Sequence, residues 1–295
     1  MTTTIPRNDR NQFETTDWLL FGAIGVIWGS SFLFIAIGLE AFHPGLITWA
    51  RVALGAAALA LSPASRTRID PADRPRLLAL SVVWVAIPFT LFPLAETRIN
   101  SAVAGLLNGA TPIFAGLVGA AFFSRTPRGP QRLGLAVGFL GVALVSFGSA
   151  GGGPSATVGV VMVLAATLCY GIATNLAGSL QHRYGSVAVM SKMLALGTLW
   201  TAPYGIHGLG SSRWELGPAL AVVALGVVGT GIAFVFMATL VGRVGGPRAS
   251  FTTYVIPVTS LALGVIFLGD RVTFLAVCGV AVVIAGALLA GRREA

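Results

Sequence analysis

The chain has 295 residues, of which 55% are hydrophobic and only 10% are charged, and its formal net charge is +9. Soluble domains carry about 25% charged residues, so this composition excludes an ordinary soluble domain and predicts a protein that uses lipid as its solvent. The basic residues are scattered through short loops. That pattern argues against nucleic acid as a partner and fits contact with anionic lipid headgroups.

A helix that crosses a membrane needs about 20 mostly apolar residues. The loops between such segments are short here, so the predicted fold class is an all-α polytopic membrane protein with ten transmembrane helices. The polar segment 1–16 lacks the layout of a cleavable signal, and 291–295 forms a short tail. The predicted spans are 17–38, 44–62, 75–96, 99–123, 130–148, 156–180, 186–205, 216–241, 246–268 and 272–290.

Basic residues are distributed unevenly between the two sides of the predicted membrane. Fourteen of the 19 fall on the side of the N-terminus and three on the other side, while Arg51 and Lys192 lie within spans. Cytoplasmic loops carry an excess of Lys and Arg. We therefore expect both termini to be cytoplasmic and the chain to be a multi-pass protein of a bacterial inner (plasma) membrane.

The sequence contains the same unit twice. Five spans per copy make the second copy, 156–290, inverted relative to the first, 17–149, with residues 150–155 as the linker. Inverted repeats are typical of secondary transporters, which hold the substrate between their halves. A shift of 145 positions superimposes Pro112 on Pro257, Gly119 on Gly264, Gly134 on Gly279 and Gly141 on Gly286.

Small residues recur four positions apart, as in Gly25 with Gly29 and Gly134 with Gly138. Such spacing lets membrane helices approach closely. It indicates either packing within one bundle or a dimer face, and we expect packing within a monomer. The two cysteines fall in separate spans and are interpreted as packing residues, because a metal site needs more ligands than two isolated thiols.

Several short motifs recur in both halves or mark particular spans. They are Trp28-Gly29-Ser30-Ser31-Phe32, Arg51, Ala104 to Pro112, Ala249 to Pro257, Gly269-Asp270, Gly279 and Gly286. These motifs resemble those of the EamA-type members of the drug/metabolite transporter superfamily, and among them the YddG-like amino-acid exporters. The resemblance implies two inverted five-span repeats and metabolite export. One departure is Ser124-Arg125, where the family usually has Gly-Glu, so a shared role for that acid is not implied.

Two prolines fall near the middle of predicted spans, Pro112 in span 4 and Pro257 in span 9. Each frees the carbonyl four residues earlier, at Asn108 and Thr253. A free carbonyl at this depth must face protein or a wet cavity. The prolines are therefore either packing kinks or hinges that line and bend a pathway.

Four aromatic residues lie deep in spans, where Trp and Tyr are unusual, and their polar atoms need partners. Taken singly, each could be a core residue. Together with nearby polar side chains they predict an apolar, aromatic cavity with scattered neutral hydrogen-bonding groups. The predicted cavity residues are Trp28, Ser30, Ser31, Trp84, Asn108, Thr111, Tyr170, Asn175, Thr230, Thr253 and Tyr254.

Charged residues within spans are rare and mark functional sites. Arg51 and Lys192 occupy inverted positions in spans 2 and 7, and both are candidates for a substrate pathway. The structural alternative is snorkelling or pairing with carbonyls. No Asp or Glu lies in the middle third of any predicted span, so we expect no carboxylate proton switch in the middle of the membrane.

An enzyme is not predicted. His43, His182 and His207 fall at loops or span ends without metal-ligand spacing, and no cofactor or metal motif is present. The predicted function is export of small neutral or zwitterionic metabolites, first of all amino acids including aromatic ones, by alternating access. The alternatives are efflux of drugs or other metabolites and, from another class, a membrane scaffold or lipid-facing enzyme.

Overall fold

A computed structural model describes residues 14–123, 129–149 and 153–290. These residues form helices joined by short turns, without a strand among them. The predicted tail 291–295, most of the segment 1–16, half of the linker and Ser124-Arg125 lie outside the described residues. The helical segments are α1 Thr15–Leu39, α2 Pro44–Ala60, α3 Pro71–Glu96, α4 Ser101–Phe122, α5 Pro130–Ser149, α6 Gly153–Tyr184, α7 Ser186–Leu209, α8 Leu216–Val244, α9 Ser250–Leu268 and α10 Phe274–Ala290.

Seven of these segments, α1, α3, α4, α5, α6, α8 and α9, are long and apolar enough to cross a membrane by length and composition. Two shorter apolar helices, Pro44–Ala60 and Phe274–Gly286, accompany them. The chain is therefore a multi-pass helical membrane protein. The number of ten crossings stays a prediction.

Besides the 3₁₀ turn Pro71–Asp73 that begins α3, four segments depart from regular α-helix, in equivalent places of the two repeats. In α3 residues Ser81–Ala86 are π-helical, and in α8 residues Val227–Ile232 are π-helical. Helix α4 is broken by a turn at 109–110, and α9 begins with the 3₁₀ turn Ser250–Tyr254. Pro88 explains the first departure, because it cannot donate a hydrogen bond to the carbonyl of Trp84.

The helices pack in pairs that the repeat relates to each other. Helix α5 packs along α10, and α2 along α7. The contact of α1 with α9 has its counterpart in the contact of α6 with α4. Helix α1 also packs on α8 as α6 packs on α3. A two-fold arrangement of the halves follows from this pairing.

Glycines allow the closest of these approaches. A Cβ atom at Gly141 would lie 2.5 Å from the backbone nitrogen of Val283, and one at Gly286 would lie 2.2 Å from the nitrogen of Gly138. In α1, Cβ atoms at Gly25 and Gly29 would collide with side chains of α9. The spaced glycines are thus used within the chain.

We expect Gly141→Val to destabilise the protein by roughly 1–3 kcal/mol, because the α5–α10 backbones cannot separate without losing their packing. Gly22→Val is the matched control, since a Cβ at Gly22 meets nothing within 4 Å. The measurement is the apparent melting temperature of both variants in one detergent at one scan rate. Equal melting temperatures would contradict the packing role.

Candidate functional site

A cavity of about 420 Å³ lies between the helices of the two repeats. Its volume is within the range of small-molecule sites. Its walls are mainly aromatic and apolar, with a few polar groups and one cation. Of the predicted site residues, those that line it are Trp28, Ser31, Arg51, Trp84, Asn108, Thr111, Tyr170 and Thr253.

The lining residues are related by the internal repeat. Shifts of 145 and 142 positions map one member of the lining onto another, so the cavity lies at the interface between equivalent surfaces. A site at the repeat interface is the arrangement found in secondary transporters. The related pairs are Trp84 with Gly229, Phe89 with Phe234, Phe92 with Met237, Asn108 with Thr253, Thr111 with Ile256, Trp28 with Tyr170 and Phe32 with Thr174.

Arg51 is the one cationic side chain in this lining, and it is 7% exposed. Its Nε atom donates to Oγ1 of Thr230 at 3.1 Å, and its guanidinium carbon lies 4.1 Å from the centre of the Phe89 ring. The Thr230 hydroxyl donates in turn to the carbonyl of Leu225 at 3.1 Å. No carboxylate forms an ion pair with Arg51 among the described residues.

Asn108 lies at the end of the first part of α4, beside the turn at 109–110. Its side-chain oxygen is buried and has no hydrogen-bond donor among the residues described. Its backbone carbonyl accepts from the Thr111 hydroxyl at 2.8 Å. Pro257 packs on this break, because a Cβ at Gly109 would lie 2.9 Å from its ring. The break therefore adjoins a lining residue whose side-chain oxygen is buried and accepts no hydrogen bond from the described residues.

Seven predicted site residues do not line the cavity, and two of them are the hinge candidates Pro112 and Pro257. Ser30 donates to the carbonyl of Ile27, and Asn175 ties α6 to the carbonyl of Ala115 in α4. Thr230 orients Arg51 instead of forming the wall. Tyr254 borders a separate apolar pocket with Phe251, and Lys192 is absent from both linings.

Several lining residues were missed by the sequence interpretation, among them Phe89, Phe92, Phe234, Met190 and Gln181. The internal repeat could have identified two of these lining residues, because the 145-residue shift relates Phe89 to Phe234. The prolines within α3 gave a second signal, since Pro88 and Pro93 flank Phe89 and Phe92.

The cavity reaches one end of the bundle and is closed toward the other. Its lining continues to Gln181, Ser186, Val241 and Ser250, which lie at adjoining ends of α6, α7, α8 and α9. We call this the basic end; it carries Arg76, Arg183, Arg243 and Arg248. Toward the opposite end the lining stops at Phe32, Ile35 and Phe92, which belong to the buried core.

Ion pairs hold the basic end together. Arg183 pairs with Asp73 at 2.8 Å and so joins α6 to α3. Arg243 pairs with Asp17, which joins α8 to α1. Among the described ranges no group of three or more His, Cys, Asp or Glu residues could hold a metal ion.

A helical membrane bundle with a cavity between two related halves has the architecture of a secondary transporter. The model of the EamA-like transporter family matches residues 16–147 and 157–292. The chain belongs to this family, which places it among transporters rather than enzymes.

Individual relatives agree over nearly the whole chain. An uncharacterized transporter of Archaeoglobus fulgidus is 25% identical over 94% of this chain and 99% of its own length. A probable terminal-alkyne amino-acid exporter of Streptantibioticus cattleyicolor is 26% identical over 91% of each chain. A probable amino-acid metabolite efflux pump of Escherichia coli is 24% identical over 92% of this chain and 93% of its own. A solved crystal structure with 21% identity shares the fold, with a TM-score of 0.65 over 94% of this chain and 97% of that one.

We expect Thr230→Val to lower the stability by about 1.5–3 kcal/mol, because it removes the acceptor of a buried cation. Thr230→Ser keeps the hydroxyl and is the matched control. The measurement is the melting temperature of both variants, alone and combined with Arg51→Gln. If Thr230→Val costs as much in the Arg51→Gln background, the hydrogen bond is not the cause.

Proposed function

We propose that the protein exports small neutral or zwitterionic metabolites, most of all amino acids including aromatic ones, across the inner membrane. The names of the Streptantibioticus and Escherichia relatives support this substrate class. The two repeats, 17–149 and 156–290, are the moving halves of an alternating-access cycle. Pro112 and Pro257, which lie beside breaks in α4 and α9, are the hinges. The protein works as a monomer, since its spaced glycines are occupied by contacts within the chain.

The observation that carries the proposal is a single buried cation in an apolar cavity. Arg51 forms no ion pair with a carboxylate of the described chain, so the carboxylate of a substrate is the group that completes its environment. Arginine and carboxylate form strong, often bidentate hydrogen bonds. Asn108, a lining residue whose side-chain oxygen has no donor among the described residues, is the proposed partner of the substrate ammonium group.

The depth of these two residues suits one small zwitterion. Arg51 is seven residues past the start of α2 at Pro44, and Asn108 is seven residues past the start of α4 at Ser101. At 1.5 Å per residue, both lie about 10 Å below the same end of the bundle. The aromatic wall formed by Trp28, Trp84 and Phe234 then receives the amino-acid side chain.

Efflux of drugs is the second candidate, and it is favoured by the apolar wall. A lipophilic cation would meet a fixed positive charge and no acidic lining residue, which disfavours that class. Neutral drugs would bind without needing Arg51. Whether transport requires Arg51 therefore distinguishes amino-acid export from drug efflux.

We expect Arg51→Gln to reduce counterflow of labelled amino acids into proteoliposomes at least tenfold, because one charge-assisted hydrogen bond is worth about 1.5–3 kcal/mol. Lys192→Gln is the matched control, since Lys192 lies outside the cavity lining. Decarboxylated analogues of the same amino acids should not be transported by the wild type. Normal amino-acid counterflow by a folded Arg51→Gln variant would leave neutral-drug efflux as the better proposal.

We further propose that the basic end faces the cytoplasm, so that the described conformation is open inward. The excess of basic residues at this end supports the orientation. The opposite, outer end is closed by buried core residues and by bonds between loops, such as the Arg213 N–H to the carbonyl of Ala41 at 2.8 Å. A substrate would therefore enter from the cytoplasm.

For a variant with Cys169 and Cys278 replaced by alanine, we expect a cysteine at Gly210 to react with a membrane-impermeant maleimide added outside intact cells. A cysteine at Thr67 should react only after the membrane is opened. Both positions lie in loops or at helix ends. The opposite labelling pattern would reverse the orientation and make the described conformation outward-open.

A further inference from the structure

Glu96 is a half-buried residue whose carboxyl group is itself buried. It is the last residue of α3, at the outer end, and both of its carboxyl oxygens are buried without a hydrogen-bond donor among the described residues. Other acids at this end differ. Glu40 is exposed, and Asp270 accepts from the Ser101 hydroxyl at 2.8 Å and the Ala102 N–H at 2.9 Å.

The carboxyl group lies on the helix face that forms the cavity wall. Phe89, Phe92 and Glu96 follow each other at intervals of three and four residues, and the two phenylalanines line the cavity. The Phe92 ring lies 5.5 Å from that of Phe32 and 6.0 Å from that of Tyr170. These three rings form an aromatic layer, and Glu96 is one turn beyond this layer toward the outer side.

The internal repeat indicates where Glu96 goes when the outer side opens. The shift of 145 positions that relates Phe89 to Phe234 and Phe92 to Met237 relates Glu96 to Val241. Val241 lines the inner mouth of the open cavity. In an inverted-repeat transporter the halves exchange conformations between the two open states. Glu96 would then line the outer mouth, in contact with water.

We propose that Glu96 is a proton-binding site that couples closure of the outer side to uptake of a proton from the outer medium. A carboxylate that accepts no hydrogen bond and forms no ion pair among the described residues is costly to bury, whereas the neutral acid is much less so. When the outer side opens, the Glu96 acid releases its proton to outer water; before closure the carboxylate takes one back. The site rests on the alternating-access part of the proposed function but not on the substrate class.

The charged groups around the site agree with a proton as its ligand. Burial disfavours the charged form of Glu96 most strongly; of the two ionisable groups that act on it, Asp270 disfavours the carboxylate and Arg51 favours it. Asp270 is already held by two donors, and a second negative charge beside it adds repulsion. The guanidinium of Arg98 is turned away, donating to the carbonyl of Leu94 at 2.8 Å. A proton removes the negative charge without needing further ligands.

The test uses two single-cysteine reporters in a background without Cys169 and Cys278. Ser186→Cys lies in the inner mouth and Val103→Cys in the closed outer core. Labelling rates are measured in nanodiscs from about pH 5 to about pH 8. We expect rising pH to slow the labelling of Ser186→Cys relative to the labelling of Val103→Cys. For one proton, the ratio of the two labelling rates changes by at most about tenfold per pH unit.

Glu96→Gln should remove this pH dependence and hold the protein inward-open, and Glu96→Met should do the same without any polar atom. Glu40→Gln is the matched control and should keep the wild-type profile. The proposal would be overturned if the labelling ratio of Glu96→Gln depended on pH as that of the wild type does. It would also be overturned if the labelling ratio of the wild type followed sodium concentration instead of pH. If amino-acid counterflow failed while the labelling ratio still depended on pH, the proposed substrate class would be refuted. The proton-binding site at Glu96 would still be supported.

Discussion

Every backbone polar group in the lipid must find its partner within the protein, and this constraint determines where the chain can depart from a regular helix. The four departures all adjoin the cavity. The π-helical segments contribute Trp84 and Gly229 to its wall, the break in α4 adjoins Asn108 and Thr111, and the 3₁₀ turn contributes Ser250 and Thr253. Apart from the 3₁₀ turn that begins α3, the irregular backbone of the described spans thus lies where the polar groups of the cavity can satisfy it.

The burial of Arg51 depends on the close approach of α2 and α8. A Cβ at Gly55 would lie 2.6 Å from Thr230, and one at Gly226 would lie 2.6 Å from Leu54. These glycines let the Thr230 hydroxyl reach Nε of Arg51. The π-helical turn that contains Thr230 directs its hydroxyl back to the carbonyl of Leu225, which leaves an oxygen lone pair for the cation. The rest of the guanidinium remains available to the cavity.

Depth in the membrane could be predicted from the sequence, whereas direction around the helix axis could not. Trp28, Trp84 and Tyr170 were identified by their distance from span ends, and all three line the cavity. Ser30 lies at the same depth, but it is displaced about 100° from Ser31 around the helix. These helices are apolar on every side, so no hydrophobic stripe indicated which residues face inward.

The same limitation explains Lys192 and Tyr254. On α7 the cavity face is formed by Ser186 and Met190, one turn apart, and Lys192 lies about 200° around from Met190. The sequence placed Lys192 in the repeat partner of the Arg51 helix, but the register of the repeat gives Met193 as the equivalent residue. Tyr254 lies one step beyond the cavity residue Thr253 and faces Phe251.

The two halves therefore share a scaffold but differ in chemistry at three equivalent places. Trp84 corresponds to Gly229, Arg51 has no cationic counterpart in the lining, and Glu96 corresponds to Val241. A fully symmetric transporter would bind its substrate equally in two orientations and respond alike to both sides of the membrane. The shared scaffold supplies two conformations of similar energy, which alternating access requires. In the proposed mechanism, these differences orient the substrate carboxylate toward one half and make the balance between those conformations respond to the outer medium.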